Sequence, residues 1–329
     1  VTEQGNFEHS NILHIPSEPE AVAATRSIAV DDLWARVDSI RQRLYEAREL
    51  RVLPGRDEKV LSSWNGMMLK AFARASRTID DTGRYLNVTR LNADFLVGKM
   101  LVNGRLMRSW KDGRARLLGY LEDYANVVDG LLATYAGSFE GRYLEAAIDL
   151  ARKMVDLFWD EDAGAFFDTG HDHEALITRP RDVFDNATPA GTSVAIDVLL
   201  RVAAYVDDER LAGVACRALL SVAPLMERAP SAFGRLLCAL DFHLARRQEI
   251  AIVWPHGTDP VDLLGVTFGE YRPNIVVAGG PRGRVIDETV TPILQGREPV
   301  GESPTGFVCE HYACQVPTTD RDVLREQLA

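Results

Sequence analysis

The chain has 329 residues, with 48 acidic against 37 basic side chains and a net charge of −11. At 46% hydrophobic and 26% charged residues its composition is that of a globular protein, long enough for one large domain or two smaller ones. The acidic balance excludes a general nucleic-acid binder or a partner of anionic membranes. No apolar run reaches the roughly 18–20 residues of a spanning helix.

From the start, Gly5 to His9 is polar and loop-like, without the basic head and apolar middle of a signal peptide. A processed or truncated start is the simpler expectation. Apolar residues then recur at spacings of three and four, the mark of amphipathic helices. Leu33, Val37, Ile40, Leu44 and Ala47 share one face. Leu61, Trp64, Met68, Phe72 and Ala75 share a second. Weaker patterns cover about 84–101, 121–137 and 190–206. Clear ones run through Leu144 to Phe158, Leu211 to Leu225, and Phe233, Leu237, Leu240 and Leu244. That predicts eight helices between residues 31 and 247.

Their connections alternate. Short joins near Asp80 to Gly83, Gly137 to Gly141 and Asp207-Asp208 make neighbouring helices antiparallel. Longer ones carry strand signals. Arg105 to Leu118 reads as a β-hairpin around Asp112-Gly113, and Ala165 to Thr169 with Ala175 to Thr178 reads as another. Acidic residues precede the second, fourth and sixth helices. Asp57 and Asp123 are 66 residues apart, and Asp123 and Asp185 are 62 apart. A repeat of that length, two helices per unit, predicts stacked hairpins curving into an (α/α) toroid. Only about four units are visible, so an incomplete ring is expected over 1–247. From 248 to 329 the pattern changes to a small α/β extension. Glu249 to Trp254 and Asn274 to Ala278 read as buried strands around a helix at about 259–270, and Gly279 to Gly283 as a loop.

Four cysteines do not make a disulfide scaffold. Cys216 and Cys238 fall in apolar helical patterns and read as core thiols. Cys309 and Cys314 stand in a C-x4-C spacing that suits neither metal nor redox motifs well. They read as reduced structural thiols, with a redox or disulfide pair as the alternative, and a cytoplasmic location fits. His171-Asp172-His173 lacks a third ligand nearby, so no metal and no cofactor is expected.

Three polar motifs lead into inner helices of the expected ring: Asp57-Glu58-Lys59 with Trp64-Asn65, Glu122-Asp123-Tyr124, and Asp185-Asn186 on to Ser193. If the repeat holds, they converge on one mouth, where helix amino ends add unpaired N–H groups and a positive dipole. Two carboxylates there would supply the acid and the base or nucleophile of glycosidic chemistry. Asp57, Asp123 and Asp185 are the catalytic candidates. Glu58, Lys59, Trp64, Asn65, Glu122, Tyr124, Asn186 and Ser193 are the candidates for binding a small sugar-like ligand, with Trp64 and Tyr124 stacking on it. Each also has an ordinary role open to it: acidic and hydroxyl residues before a helix are caps, and an indole on an apolar stripe is core.

The same motifs, with Gly5-Asn6-Phe7-Glu8, Asn186-Ala187-Thr188-Pro189-Ala190-Gly191-Thr192-Ser193 and Phe307-Val308-Cys309-Glu310, resemble the spermatogenesis-associated, thioredoxin-domain-containing family over nearly the whole chain. The resemblance implies the carboxy-terminal part of a protein about twice as long. There a thioredoxin-like domain precedes a six-hairpin α/α toroid similar to N-acylglucosamine 2-epimerases and glycosidases. It implies that the first toroid helices lie outside this chain and that the preceding part of the protein, or a second copy, covers the surface they leave. It carries no reaction and no residue roles. The leading expectation is a carbohydrate-active hydrolase or isomerase. The alternative is a non-catalytic, partner-binding module that serves a thioredoxin-like domain.

Overall fold

The computed structural model describes residues 2–79, 82–175, 177–282, 291–310 and 313–329. Two compact units divide at Glu58 and Lys59. The first holds α1 (Pro19–Arg26) and α2 (Val30–Glu49). Pro19 at the first turn of α1 supplies a pre-set φ where no N–H is needed, a start signal the apolar periodicity does not carry. No residue of α2 is buried, so its expected stripe covers no core within this unit.

In the second unit β1 (Val60–Leu61) runs into α3 (Ser62–Thr78), and α4 (Arg84–Lys99) follows. Then come β2 (Leu101–Val102), β3 (Arg105–Lys111) and β4 (Arg114–Leu118). The β3–β4 hairpin turns at Asp112 and Gly113, both at positive φ (53° and 75°), as a tight two-residue turn requires. Next are α5 (Leu121–Ser138), α6 (Gly141–Phe158), β5 (Trp159–Asp160) and β6 (Ala165–Phe166). They are followed by α7 (Gly191–Val206), α8 (Glu209–Arg228) and α9 (Gly234–Leu244). All eight expected helices are therefore present. One expected hairpin differs: β6 pairs back with β5, not with Ala175 to Thr178. The turn at Gly164 (φ 57°) is shorter and closes first. Leu176 and the join at Asp80-Asp81 lie outside the described residues.

Helices α3, α5, α7 and α9 pack side by side as an inner row, with α4, α6 and α8 behind them. This is the two-layer helical-hairpin arrangement of an (α/α) toroid, present as an arc. Burial follows position in the arc. In α5 and α7, flanked on both sides, nearly every residue is buried, Asp123, Asp129 and Asp197 included. Helices α3 and α9 stand at its ends, and their expected stripes are partly wrong. On α3 the buried face is Ser62, Ser63, Gly66, Leu69 and Ala73, while Trp64 is 62% exposed. On α9 it is Leu236, Ala239 and Phe242, with Leu244 exposed. The backbones of α3 and α5 meet closely at two glycines. A Cβ on Gly66 would lie 2.5 Å from the Asn126 backbone, and one on Gly130 would lie 2.7 Å from the Gly66 carbonyl.

Beyond α9, β7 (Gln248–Trp254), α10 (Val261–Phe268) and β8 (Ile275–Pro281) form the expected parallel strand–helix–strand unit. Strand β8 runs on through Gly279 to Pro281, residues expected in a loop, because Trp254 of β7 still pairs with Pro281. Gly283 lies outside the described residues. Strands β9 (Thr305–Glu310) and β10 (Ala313–Cys314) complete a sheet of order β10-β9-β7-β8, and α11 (Arg321–Gln327) follows. Ile250, Ile252, Val277 and Val308 face Leu263, Val266 and Leu324 of the two helices. Ala251, Val253, Val276 and Phe307 join the main helical core.

Cys309 and Cys314 form a disulfide, contrary to the expected reduced thiols. The antiparallel β9–β10 register sets the two residues directly opposite one another, a closeness that spacing alone did not reveal. Cys238 is exposed and Cys216 half-buried beside His243, so neither is the fully buried core thiol expected. Among the described residues, no helix is long and apolar enough to cross a membrane.

Candidate functional site

The amino ends of the inner helices gather at one end of the arc, held by side-chain bonds between helices. The Asp123 carboxylate on the first turn of α5 accepts the Ser63 N–H of α3 (3.0 Å) and the Tyr120 N–H before its own helix (2.9 Å), and it meets Arg108 Nη1 at 3.2 Å. The first residue of α7 approaches the same turn: a Cβ on Gly191 would lie 3.0 Å from the Glu122 nitrogen. Asp185 accepts the Ala190 N–H at the entry to α7 (2.9 Å) and the Arg235 N–H at the start of α9 (2.7 Å). These contacts join the starts of α3 and α5, of α5 and α7, and of α7 and α9.

The sequence candidates differ in exposure and in partners. Asp123 has no solvent exposure. Burial pushes its carboxyl above the usual range, against the opposing hydrogen bond from Tyr120 and the charge of Arg108. Asp185 is engaged by three backbone N–H groups, the third from Leu236 (3.4 Å). Tyr124 is buried, and its hydroxyl accepts from Arg105 Nη1 (2.8 Å) and the Leu106 N–H (2.9 Å), so it offers no open face for stacking. Ser193 is fully buried, and among the described residues its hydroxyl has no partner. Asn65 donates to the Leu61 carbonyl (2.8 Å), and the exposed Asn186 donates to the Phe184 carbonyl (3.3 Å). Trp64 projects from the first turn of α3 into solvent. Lys59 is exposed at the head of the second unit. Asp57 and Glu58 are exposed residues of the first unit, with Glu58 paired to Arg56 at 2.6 Å.

The accessible chemistry lies in a neighbouring group. Glu122 is 40% exposed and pairs with Arg108 (2.9 Å), whose guanidinium lies 4.5 Å from the centre of the Tyr120 ring. His173 stacks on the same ring at 5.1 Å. The loop after β6 brings Asp168 to the same turn: its carbonyl accepts the Leu121 N–H (3.0 Å), and its carboxylate accepts the Asp182 N–H (2.9 Å). Partial burial, with the Asp182 and Glu122 carboxylates nearby, pushes Asp168 up to about 6. Asp168 is absent from the sequence candidates because it sits in an expected strand. Its link to Leu121 exists only once the loop has folded back.

A second group was also missed. Farther along the inner helices, Lys70 of α3 pairs with Asp129 of α5 (2.6 Å). Arg235 of α9 bridges Asp129 (2.9 Å) and Asp197 of α7, and Arg201 meets Asp197 at 2.9 Å. Lys70 and Arg235 hold the Asp129 carboxyl below its usual range despite burial, which in turn works against the charge on Lys70. Charged residues inside otherwise apolar inner helices were the available signal. Among the described residues, no three His, Cys, Asp or Glu side chains group as a metal site.

No family signature matches the chain. Human spermatogenesis-associated protein 20 is 30% identical over 339 residues, covering 99% of this chain and 43% of that protein. The rat protein of the same name is 29% identical, and an uncharacterized Caenorhabditis elegans protein is 27% identical over 98% of the chain and 45% of its own length. The chain therefore spans less than half the length of these relatives. Among solved structures, a cellobiose 2-epimerase from Bacillus thermoamylovorans aligns over 52% of this chain and 45% of its own (TM-score 0.42, 15% identity). A D-mannose isomerase aligns over 56% and 44% (TM-score 0.37, 11% identity). With 30% identity over nearly the whole of this chain, it is a homologue of part of spermatogenesis-associated protein 20.

Proposed function

We propose that the chain is part of a carbohydrate-active enzyme whose ligand sits at the gathered amino ends of the inner helices. Glu122 and Asp168, not Asp123 and Asp185, are its working carboxylates. The supporting observation is that these two partly exposed acids meet at the first turn of α5, Glu122 on it and Asp168 bonded to it through its carbonyl, with Asp168 pushed up to about 6 while Arg108 partners Glu122. Acid–base chemistry at a glycosidic or hydroxyl oxygen needs one group that gives a proton and another that takes it. In this scheme Asp168 is the acid, Glu122 the base, and the exposed Trp64 indole a platform for a sugar ring. The test is a panel of mono- and disaccharides scored by melting temperature and turnover. Wild type should respond to at least one, and Asp168→Asn should lose turnover. A panel with no binder and no turnover removes the proposal.

A second reading, a non-catalytic partner-binding module, draws support from Asp123 and Asp185, both consumed by helix starts. It predicts that Glu122→Gln and Asp168→Asn change no ligand response.

A further inference from the structure

The Cys309–Cys314 disulfide lies at the far edge of the sheet in the second unit, away from the chemistry above. Cys309 is buried on β9, and Cys314 is exposed on the two-residue edge strand β10. One guanidinium nitrogen, Nη2 of Arg297, lies 3.1 Å from the Cys309 sulfur and 2.9 Å from the Cys314 sulfur. Among the described residues no carboxylate pairs with Arg297, and its buried Nε has no partner. Its planar group is held 5.1 Å from the centre of the Phe307 ring. A disulfide sulfur is a weak acceptor and gives little to a fixed cation. A thiolate at the same place would give a full ion pair. The arrangement therefore favours the reduced, ionised state of these sulfurs more than the oxidised one.

We propose that Cys309 and Cys314 form a thiol–disulfide exchange site for an external dithiol, with Arg297 as the group that holds the leaving thiolate. A thiolate of the incoming dithiol attacks the exposed Cys314 sulfur. A bond forms between those two sulfurs, the Cys314–Cys309 bond breaks, and its electron pair leaves on Cys309 beside Arg297. The second thiol of the dithiol, deprotonated, attacks its own partner's sulfur and releases Cys314 as a thiolate. The two protons given up by the dithiol are available to the two protein sulfurs. The dithiol ends as a disulfide and the protein pair gains two electrons. The buried sulfur leaves and the exposed one is attacked, which matches the accessibility of each.

The test uses the full chain with dithiothreitol as the probe, and peptide-level mass mapping to separate this pair from Cys216 and Cys238. In the folded wild type the pair should reduce and reoxidise reversibly, and the reduced thiols should alkylate half-maximally at a pH below that of an ordinary cysteine. Loss of the cation should slow reduction in Arg297→Met about threefold. That is the expected size if the leaving thiol rises by about one pH unit and the Brønsted slope is about 0.5. Arg297→Lys should restore part of the rate. A pair that stays oxidised in the folded protein overturns the proposal. So does an Arg297→Met variant that exchanges and alkylates as wild type does. Should Arg297→Met fail to fold, the wild-type alkylation profile decides alone: an ordinary or raised half-point overturns it.

Discussion

Replacing Asp123 with alanine should cost more than any other single change at the gathered helix ends. The carboxylate is fully buried and accepts two backbone N–H bonds, one from each of two helix starts, besides meeting Arg108. Asp123→Ala leaves the buried Ser63 N–H and the half-buried Tyr120 N–H without their acceptor. Hydrogen bonds to a charged acceptor contribute about 1.5–3 kcal/mol each, so two give about 3–6 kcal/mol. Arg108 adds little, because it keeps Glu122. Asp123→Asn retains one carbonyl oxygen and should lose about half as much. For a unit of this size, about 4 kcal/mol lowers the melting temperature by roughly 8–15 °C. Urea unfolding and calorimetry on the three proteins measure it directly. A loss below about 1 kcal/mol for Asp123→Ala would refute the reasoning, since it would mean that solvent reaches those N–H groups.

The close approach of α3 and α5 predicts that Gly66→Ala destabilises by about 1–3 kcal/mol or more, because the added Cβ meets backbone that cannot rotate away. Gly98→Ala, whose Cβ would meet nothing, should be neutral or mildly stabilising in the same denaturant series. In the buried charge network, Asp129→Ala leaves Lys70 and Arg235 facing each other and should cost about 3–5 kcal/mol, whereas Lys70→Met should cost markedly less. Equal losses would contradict the assigned geometry. The Asp168 carboxyl is raised in the folded state, so that state binds its proton more tightly than the unfolded chain does. Its contribution is complete below the unfolded value near pH 4 and is lost as pH rises towards about 6. Denaturation between pH 4 and 6 should show a slope that Asp168→Asn removes.

Much of the arc was legible because its signals are local. Helix periodicity, the Asp112-Gly113 turn and the spacing from Asp123 to Asp185 each depend on a short stretch of chain, and the structure contains the helices and the gathered ends they imply. Which face of α3 and α9 is buried depends on how many neighbours a helix has, and no single-helix pattern carries that. The same holds for the site. Capping chemistry and carboxylate catalysis draw on the same residues before a helix, so Asp123 and Asp185 stood out in the sequence and proved to be hydrogen-bonded into helix starts. Asp168 became visible only when the loop after β6 folded against the first turn of α5. Lys70, Asp129, Asp197 and Arg235 come from four helices and meet only in three dimensions, although charge inside an apolar helix was a readable warning. The disulfide stood only as the alternative because the C-x4-C spacing was compared with metal and redox motifs, while the β9–β10 pairing sets the distance.

The carbohydrate proposal rests on Glu122 and Asp168 acting together at an accessible site. Isothermal titration of the full chain with the best sugar from the panel, in wild type, Glu122→Gln, Asp168→Asn and the double variant, tests that claim most directly. Binding weakened about tenfold or more by each single change, with the folded state intact, is the predicted result; affinity unchanged in the double variant, or no sugar bound by the wild type, would contradict it.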